Sequence, residues 1–389
     1  MIPLLFLTLL ALSVAGYAAA AFALARVARR SRRSGWSCFT PGVSIVKPLS
    51  GPDDELERNL ESFYRLDYPE YEVVFSFGRR ADPAFEVARR VADRHPSVPS
   101  TFVVDAREAG VNAKVNRLAA GIARARFRYV LMADGNVRVG PQFLSRAIAL
   151  FANGSVGLVS HLFSARGART LASRLESLYL NGVLSPGTAA LAELLRMPCV
   201  VGKSILISRD ALNAIGGIET LRDFLAEDFL MGKLVARAGY QVRLCADRVD
   251  TAEVSRSLSA SWSRQRRWAI LRKRLGGAAY WGELASSSLL WFVGAAVTGG
   301  GGIALLALAL YALRVALEAV GLIRLRSLRP MDVLLIPVRD LAALALFWAG
   351  LFGETTHWRG RKLRVGPATV LLPLGGKLIR SKVLIPERN

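Results

Sequence analysis

The residues with the clearest chemical potential are two acids set into apolar surroundings and a crowd of guanidinium groups. Tyr129 to Ala133 is a short apolar run that stops at Asp134-Gly135-Asn136, the pattern of a buried strand ending at a carboxylate in a tight turn. In open α/β sheets the ligand sits beyond the carboxyl ends of the strands, so Asp134 is expected to face one. Carboxylate and amide oxygens are hard ligands, suited to a magnesium or manganese ion that also holds a diphosphate. The plainer reading makes Asp134 a cap for a helix starting near Pro141.

Farther along, Asp223-Phe-Leu-Ala-Glu227-Asp228-Phe-Leu-Met-Gly-Lys reads as a helix with two adjacent acids. Neighbours on a helix point about 100° apart, so one can aim at a reacting atom while the other braces or binds. Taking a proton from an acceptor hydroxyl needs one positioned carboxylate. The alternative is a helix N-terminus that favours negative charge. Ser259 to Arg274 contains Trp262, Arg264, Arg266, Arg267, Trp268, Arg272, Lys273 and Arg274. Arg264 and Arg267 are three apart and share a face, with Trp268 beside Arg264 at i+4. Paired guanidinium groups suit phosphate, and a basic helix with tryptophans can rest on a membrane surface.

The elements that must position these groups alternate. Val43 to Val46, Glu72 to Phe77, Thr101 to Val104 and Tyr129 to Ala133 read as strands. The helices between them open at Asp53-Asp54, at Pro83 after the Gly78–Asp82 turn, and at Asn112, Lys114 and Asn116. Such alternation implies parallel pairing and right-handed crossovers, a nucleotide-binding type of sheet. Val156 to Ser160 and Val200 to Ile207 add strands, and Leu178 to Leu195 is an apolar stretch that either faces lipid, lines an acceptor groove or forms a kinked core helix. No strand is followed by GxGxxG, and Gly202-Lys203-Ser204 lacks the earlier glycine of a Walker A loop. A phosphate-bearing donor must be held another way.

With 389 residues, 52% of them hydrophobic, and a net charge of +22, the chain exceeds one soluble domain. The arginines crowd beside long apolar stretches, which points to an anionic membrane face. No zinc-finger spacing or RNP-like motif supports nucleic acid, and Cys38, Cys199 and Cys245 are too few and scattered for a metal site or disulfide framework. Residues 1–25 lack charge and are followed by Arg26, Arg29, Arg30, Arg32 and Arg33, reading as a retained transmembrane anchor with the chain after it cytoplasmic. Residues 40–280 are then expected to form a cytoplasmic domain. Residues 281–323, broken at Gly299 to Gly302, read as a transmembrane hairpin that tolerates Arg314 and Glu318 as an i, i+4 pair. For 331–375, re-entrant or interfacial helices and a basic tail are expected, because both flanks favour the cytoplasmic side.

Assembled, the pieces resemble the ceramide glucosyltransferase family, membrane enzymes with a GT-A domain, related to bacterial hopanoid glycosyltransferases and to processive polysaccharide synthases. The resemblance runs from Lys47-Pro48-Leu49 through Asn59-Leu60-Glu61-Ser62-Phe63 and Leu66-Asp67-Tyr68-Pro69 to Trp358-Arg359-Gly360-Arg361. That family carries three separated aspartates and (Gln/Arg)-x-x-Arg-Trp. By this pattern Asp82 contacts the nucleotide, Asp134 meets the metal and diphosphate, and Asp228 is the catalytic base. Arg264-x-x-Arg267-Trp268 completes the signature, and Asn112-x-Lys114-x-Asn116 resembles the segment ahead of the second aspartate, placing Lys114 with the donor. The resemblance implies a UDP-sugar donor, UDP-glucose first, with Mg2+ or Mn2+, and a membrane lipid acceptor, ceramide favoured, in a bacterial inner or Golgi-type membrane. Gly135-Asn136 follows the second aspartate where a second acid would be expected, leaving a metal fewer carboxylates.

Overall fold

The computed structural model describes residues 1–33, 38–324, 329–358 and 361–374; Arg326, the Arg359-Gly360 step of the family signature and the end of the basic tail lie outside the described residues. Its centre is an eight-stranded sheet of β1 (Val43–Pro48), β2 (Tyr71–Phe77), β3 (Ser100–Val104), β4 (Tyr129–Ala133), β5 (Val137–Arg138), β6 (Val156–Arg166), β7 (Ser204–Ser208) and β8 (Gln241–Ala252), in the order β3-β2-β1-β4-β7-β6-β8-β5. β1 to β4 pair in parallel, as the alternation requires. β7 then runs antiparallel to both β4 and β6, so the sheet is mixed. Every residue of β1, β2 and β4 is buried, which explains why these strands read as continuous apolar runs.

Two apolar layers cover the sheet. One face packs Ile45, Phe63, Phe75, Phe77 and Leu131 with Phe143, and the other packs Val46, Val74 and Val130 with Val115, Leu118 and Met231. The alternation of Ile45 and Val46, or Val130 and Leu131, between layers follows the two-residue period of a strand. All four parallel strands end on one edge, where the helices Ala113–Ile122 and Glu227–Arg237 begin.

The apolar helices stand beside this unit. Ile2–Arg30, Gly301–Arg324 and Pro330–Leu351 are each long and apolar enough to cross a membrane by length and composition. The first arm expected of the hairpin is instead broken into Trp281–Ala285 and Ser288–Thr298, and the latter, at 11 residues, reaches only about 16 Å. Leu171–Tyr179 and Ser185–Glu193 flank a π-helical turn at Leu180–Leu184, and Ala189 packs against Ala23, Leu24 and Val27 of the first helix. That segment is therefore a distorted helix packed on the N-terminal one.

The segment 331–375 departs from expectation. In place of a helix pair it forms one long apolar helix and then a three-stranded antiparallel sheet of β9 (Thr355–Trp358), β10 (Arg361–Val365) and β11 (Leu371–Pro373). Lys362-Leu363-Arg364-Val365 alternates in burial along β10, so a stretch that looked merely basic has one apolar face. Leu363, Val365 and Leu371 cluster with Leu225 and Ile270, and Leu225 N–H donates to the Thr369 carbonyl at 2.9 Å. This small sheet thus buttresses the approach to Glu227 and Asp228.

Candidate active site

Asp134 does not cap a helix. Its carboxylate, 27% exposed, lies 3.0 Å from Lys114 Nζ and 3.6 Å from Lys203 Nζ. Burial alone would raise its pKa, but Lys114 and Lys203 outweigh it and the carboxyl is held below its ordinary range. A third lysine, Lys47, donates to the Asp134 carbonyl at 2.9 Å and sits over the Phe63 ring. Complete burial, only partly countered by Asp134 and Asp53, pulls its ammonium down to about 7.

Lys114 ties the two acidic regions together. Asn112 caps its helix by accepting from the Lys114 and Val115 N–H groups, which aims the lysine across the strand ends. Its Nζ reaches Asp134, Glu227 Oε1 at 3.1 Å and the Gly202 carbonyl at 3.0 Å. Burial opposes its charge, but the three surrounding acids outweigh burial and raise its pKa.

The adjacent acids divide their roles as helix geometry requires. Glu227 is buried and also accepts from Asn112 Nδ2 at 3.2 Å, so it braces the lysine and the helix start. Asp228 is half-buried and accepts from Gly202 N–H at 2.6 Å and Phe229 N–H at 2.8 Å. A Cβ on Gly202 would stand 2.7 Å from its Oδ2, so only glycine permits that approach. Burial, together with Asp134 nearby, raises the Asp228 pKa despite Lys114 and the two backbone donors. Pro48, Lys114, Asp134, Gly202 and Glu227 line one pocket at this sheet edge.

The two arginines of the signature are not equivalent. Arg264 makes a two-pronged contact with buried Glu253 at 2.8 and 3.0 Å, lies 3.2 Å from Glu176, and stacks over Trp268 at 4.6 Å. Glu253 is held down to about 2: burial would raise it, but Arg264 and Lys203 dominate. Arg267 has no ion pair among the described residues, and burial with the neighbouring Arg264 and Arg256 lowers it to about 10, while Glu227 and Glu176 act in the opposite sense. Trp268 is partly buried against the main core. Thus Lys114, Asp134 and Asp228 converge, Arg267 lies within electrostatic reach of the adjoining Glu227, and Arg264 is committed to carboxylates.

Asp82 stands apart from that convergence. It caps the helix Pro83–Asp93 by accepting from Ala84 N–H at 3.0 Å, and accepts from Gly51 N–H at 2.9 Å, stitching together the loops that follow β1 and β2. Lys203, Glu253 and Glu176 were not singled out in the sequence. Glu253 directly follows β8, the same strand-end signal that marks Asp134. Lys203 sits in the Gly-Lys-Ser triplet, whose failure as a Walker loop says nothing about its place just ahead of antiparallel β7, beside the end of β4.

Whether these residues suit a divalent ion is a matter of donors. Asp134 supplies hard carboxylate oxygens, and the Asn136 side-chain oxygen, two residues on, accepts from Lys203 at 3.0 Å. Among the described residues no group of three or more His, Cys, Asp or Glu could hold a metal. An ion that draws most of its ligands from a diphosphate and water, as magnesium does, fits with Asp134 as its protein carboxylate.

The architecture, a mixed sheet with acids and cations gathered at one strand edge, is that of the GT-A glycosyltransferases. The model of glycosyl transferase family 21 matches residues 7–371, and the chain belongs to that family. It is 27% identical over 233 residues to ceramide glucosyltransferase 1 of Caenorhabditis elegans, covering 60% of this chain and 50% of that one. To a Komagataella phaffii ceramide glucosyltransferase it is 30% identical over 198 residues, 44% of this chain and 38% of the other. The chain spans about half the length or less of these curated relatives. A solved mannosyltransferase from Pyrobaculum calidifontis, in complex with GDP-Man and Mn2+, aligns with a TM-score of 0.51 at 20% identity, over 87% of this chain and 99% of that one, a likeness of fold. With its three long apolar helices, the chain is membrane-associated.

Proposed function

We propose that this chain is an inverting glycosyltransferase that moves glucose from UDP-glucose to the primary hydroxyl of ceramide at the cytoplasmic face of its membrane, giving glucosylceramide. The observation that carries the reading is the meeting of Asp228 with Lys114 and Asp134 at one strand edge, with Arg267 within electrostatic reach of the adjoining Glu227. The named relatives, being ceramide glucosyltransferases, support a glucosyl group as what is moved and ceramide as the acceptor.

In this reading the donor's diphosphate lies among Lys114, Lys203 and Arg267. The acceptor oxygen attacks the anomeric carbon from the side of Asp228, whose carboxylate takes the hydroxyl proton as the bond to the diphosphate breaks. A carboxylate with a raised pKa is a better base than an ordinary one, provided it stays ionised at working pH. Charge on the leaving group meets ammonium and guanidinium groups fixed beforehand, and preorganised charge of this kind contributes several kcal/mol to such reactions. A magnesium or manganese ion, when bound with the donor at Asp134, would add Lewis-acid neutralisation of the same oxygens. Glu253 and Glu176 hold Arg264 against Trp268 and so keep the floor behind Arg267 rigid.

The test is mass spectrometry of lipids from cells with and without the chain. A hexosylceramide that depends on the chain and is lost in Asp228→Asn supports the reading. A hexosylated hopanoid or another glycolipid in its place would move the acceptor assignment, and no change in any glycolipid would refute the function.

A further inference from the structure

The third long apolar helix, Pro330–Leu351, is held at both ends by elements that stand behind the active site. At its start Asp332 accepts from Arg174 Nε at 2.6 Å, and Arg174 belongs to Leu171–Tyr179, the helix whose Glu176 pairs with Arg264. At its end Gly350 packs so tightly on the Arg264-bearing helix that a Cβ there would stand 2.6 Å from the Ala269 Cβ, and Lys273 donates to the Leu351 carbonyl. Arg266 then donates to the Thr355 carbonyl at 3.1 Å, and Thr355 opens the small sheet that buttresses Glu227 and Asp228. At 22 residues the helix is about 33 Å long, enough to traverse a hydrocarbon core of about 30 Å. A helix that crossed would deliver the small sheet to the side of the membrane opposite Asp228. The sheet stands beside Asp228, so both ends of the helix lie on one side.

The outer face shows what the helix lies against. Met331, Leu334, Val338, Leu341, Trp348 and Phe352 are 42% to 77% exposed. With exposed Ala345 they recur in steps of three and four, a single stripe along the helix. The charges sit on the opposite face and are answered there, Asp332 by Arg174 and Arg339 by Glu318 and the Leu178 carbonyl. A seam between two copies of a helix carries charged residues on its flanks, which set partner and register. Here the flanking positions are Leu335, Pro337, Ala342, Leu344 and Ala349, a hydrocarbon surface all the way round the outer half, which suits acyl chains. Trp281 and Trp348, both exposed, stand edge to face at 6.3 Å, and tryptophan is the side chain that gathers at head-group depth.

We infer that residues 330–352 form an in-plane membrane helix, with the apolar stripe in the acyl chains of the leaflet nearest the active site and the opposite face carrying the Arg264–Arg267 helix at head-group depth. A helix seated in this way sinks about 5–10 Å below the membrane surface. The bilayer then forms the floor of the catalytic edge, and this seating is independent of which lipid accepts the sugar.

The experiment reads depth along the stripe and side at its end, on the full chain in vesicles of phosphatidylcholine and phosphatidylglycerol. Leu334→Cys, Leu341→Cys and Trp348→Cys, each in a chain with Cys38→Ser and Cys199→Ser, carry a fluorophore quenched by lipids brominated at set acyl positions. An in-plane helix gives three depths that agree to within a few ångströms. A crossing helix changes depth by about 10 Å between successive labels, which are seven residues apart, and that gradient would overturn the inference. So would the absence of quenching at all three, which would show the stripe covered by protein such as a second copy. His357→Cys, at an exposed position just past the helix, leaves the stripe untouched and provides a separate reading if a labelled chain fails to fold. In the Cys38→Ser, Cys199→Ser chain it should react with a membrane-impermeant maleimide from the same side of sealed vesicles as exposed Cys38 does in a Cys199→Ser chain. Reaction of the two from opposite sides would show a crossing and refute the in-plane seating.

Discussion

Two clusters of charge in this molecule look alike in composition and differ in closure. Between the helices Gly301–Arg324 and Ile336–Leu351, Arg314, Glu318, Arg339 and Asp340 form a closed square of contacts at 2.8 to 3.1 Å. Tyr311 donates to Asp340 at 3.0 Å, and Arg339 also reaches the Leu178 carbonyl at 3.1 Å. Glu318 lies so close to Gly182 that a Cβ there would stand 1.9 Å from its Oε1. Every charge is answered, and the cluster locks the two helices onto the π-helical turn. At the strand edge the balance is left open: among the described residues Arg267 has no ion pair, Lys203 holds Asp134 only at 3.6 Å, and the buried Nε and Nη2 of Arg117 and Oγ of Ser76 have no hydrogen-bond partner. A closed cluster is complete in the folded chain, whereas an open one is completed by something that binds.

The comparison can be broken in several places. Asp228→Asn should fold, bind UDP as wild type does, and lose about a thousandfold in kcat, the scale of a lost general base; turnover close to wild type would remove Asp228 from that role. Glu318→Gln leaves two buried guanidinium groups short of a partner, and should cost about 3 kcal/mol of stability, read as a lower thermal midpoint with kcat of the folded fraction retained. For Arg267→Lys the charge survives but the forked contact does not, so kcat/KM should fall about tenfold with stability unchanged. The pH dependence should be milder still. Because Asp228 must be ionised and its pKa is raised by burial, kcat/KM should fall on acidification at a pH above the ordinary aspartate value of about 3.9, and Asp228→Glu should move that limb. Chelation of divalent ions should slow turnover by no more than about tenfold if, as proposed, three cationic side chains share the diphosphate with any metal.

Much of this was legible along the chain. β1, β2 and β4 announced themselves as apolar runs because both of their faces are covered. Asp134 was readable as an acid at a strand end, and Glu227-Asp228 as a pair that must split its roles. What local pattern could not carry was pairing at a distance. Arg264 and Arg267 looked like one fork, yet Glu176 and Glu253, from other elements, claim the first and, among the described residues, leave the second without an ion pair. Lys203 comes to Asp134 because β7 lies antiparallel beside β4, a turn of topology that no spacing in the sequence encodes. The small sheet at 355–373 was hidden by its basic residues, although the alternation of Leu363 and Val365 was its signal.

The most direct test is UDP affinity measured side by side for wild type, Arg267→Met and Glu318→Gln. If the strand-edge cluster is open to receive a diphosphate and the helical cluster is closed, Arg267→Met binds UDP about tenfold more weakly and Glu318→Gln binds it as wild type does. UDP binding that is indifferent to Arg267, or that fails with Glu318 while the chain remains folded, would contradict the account.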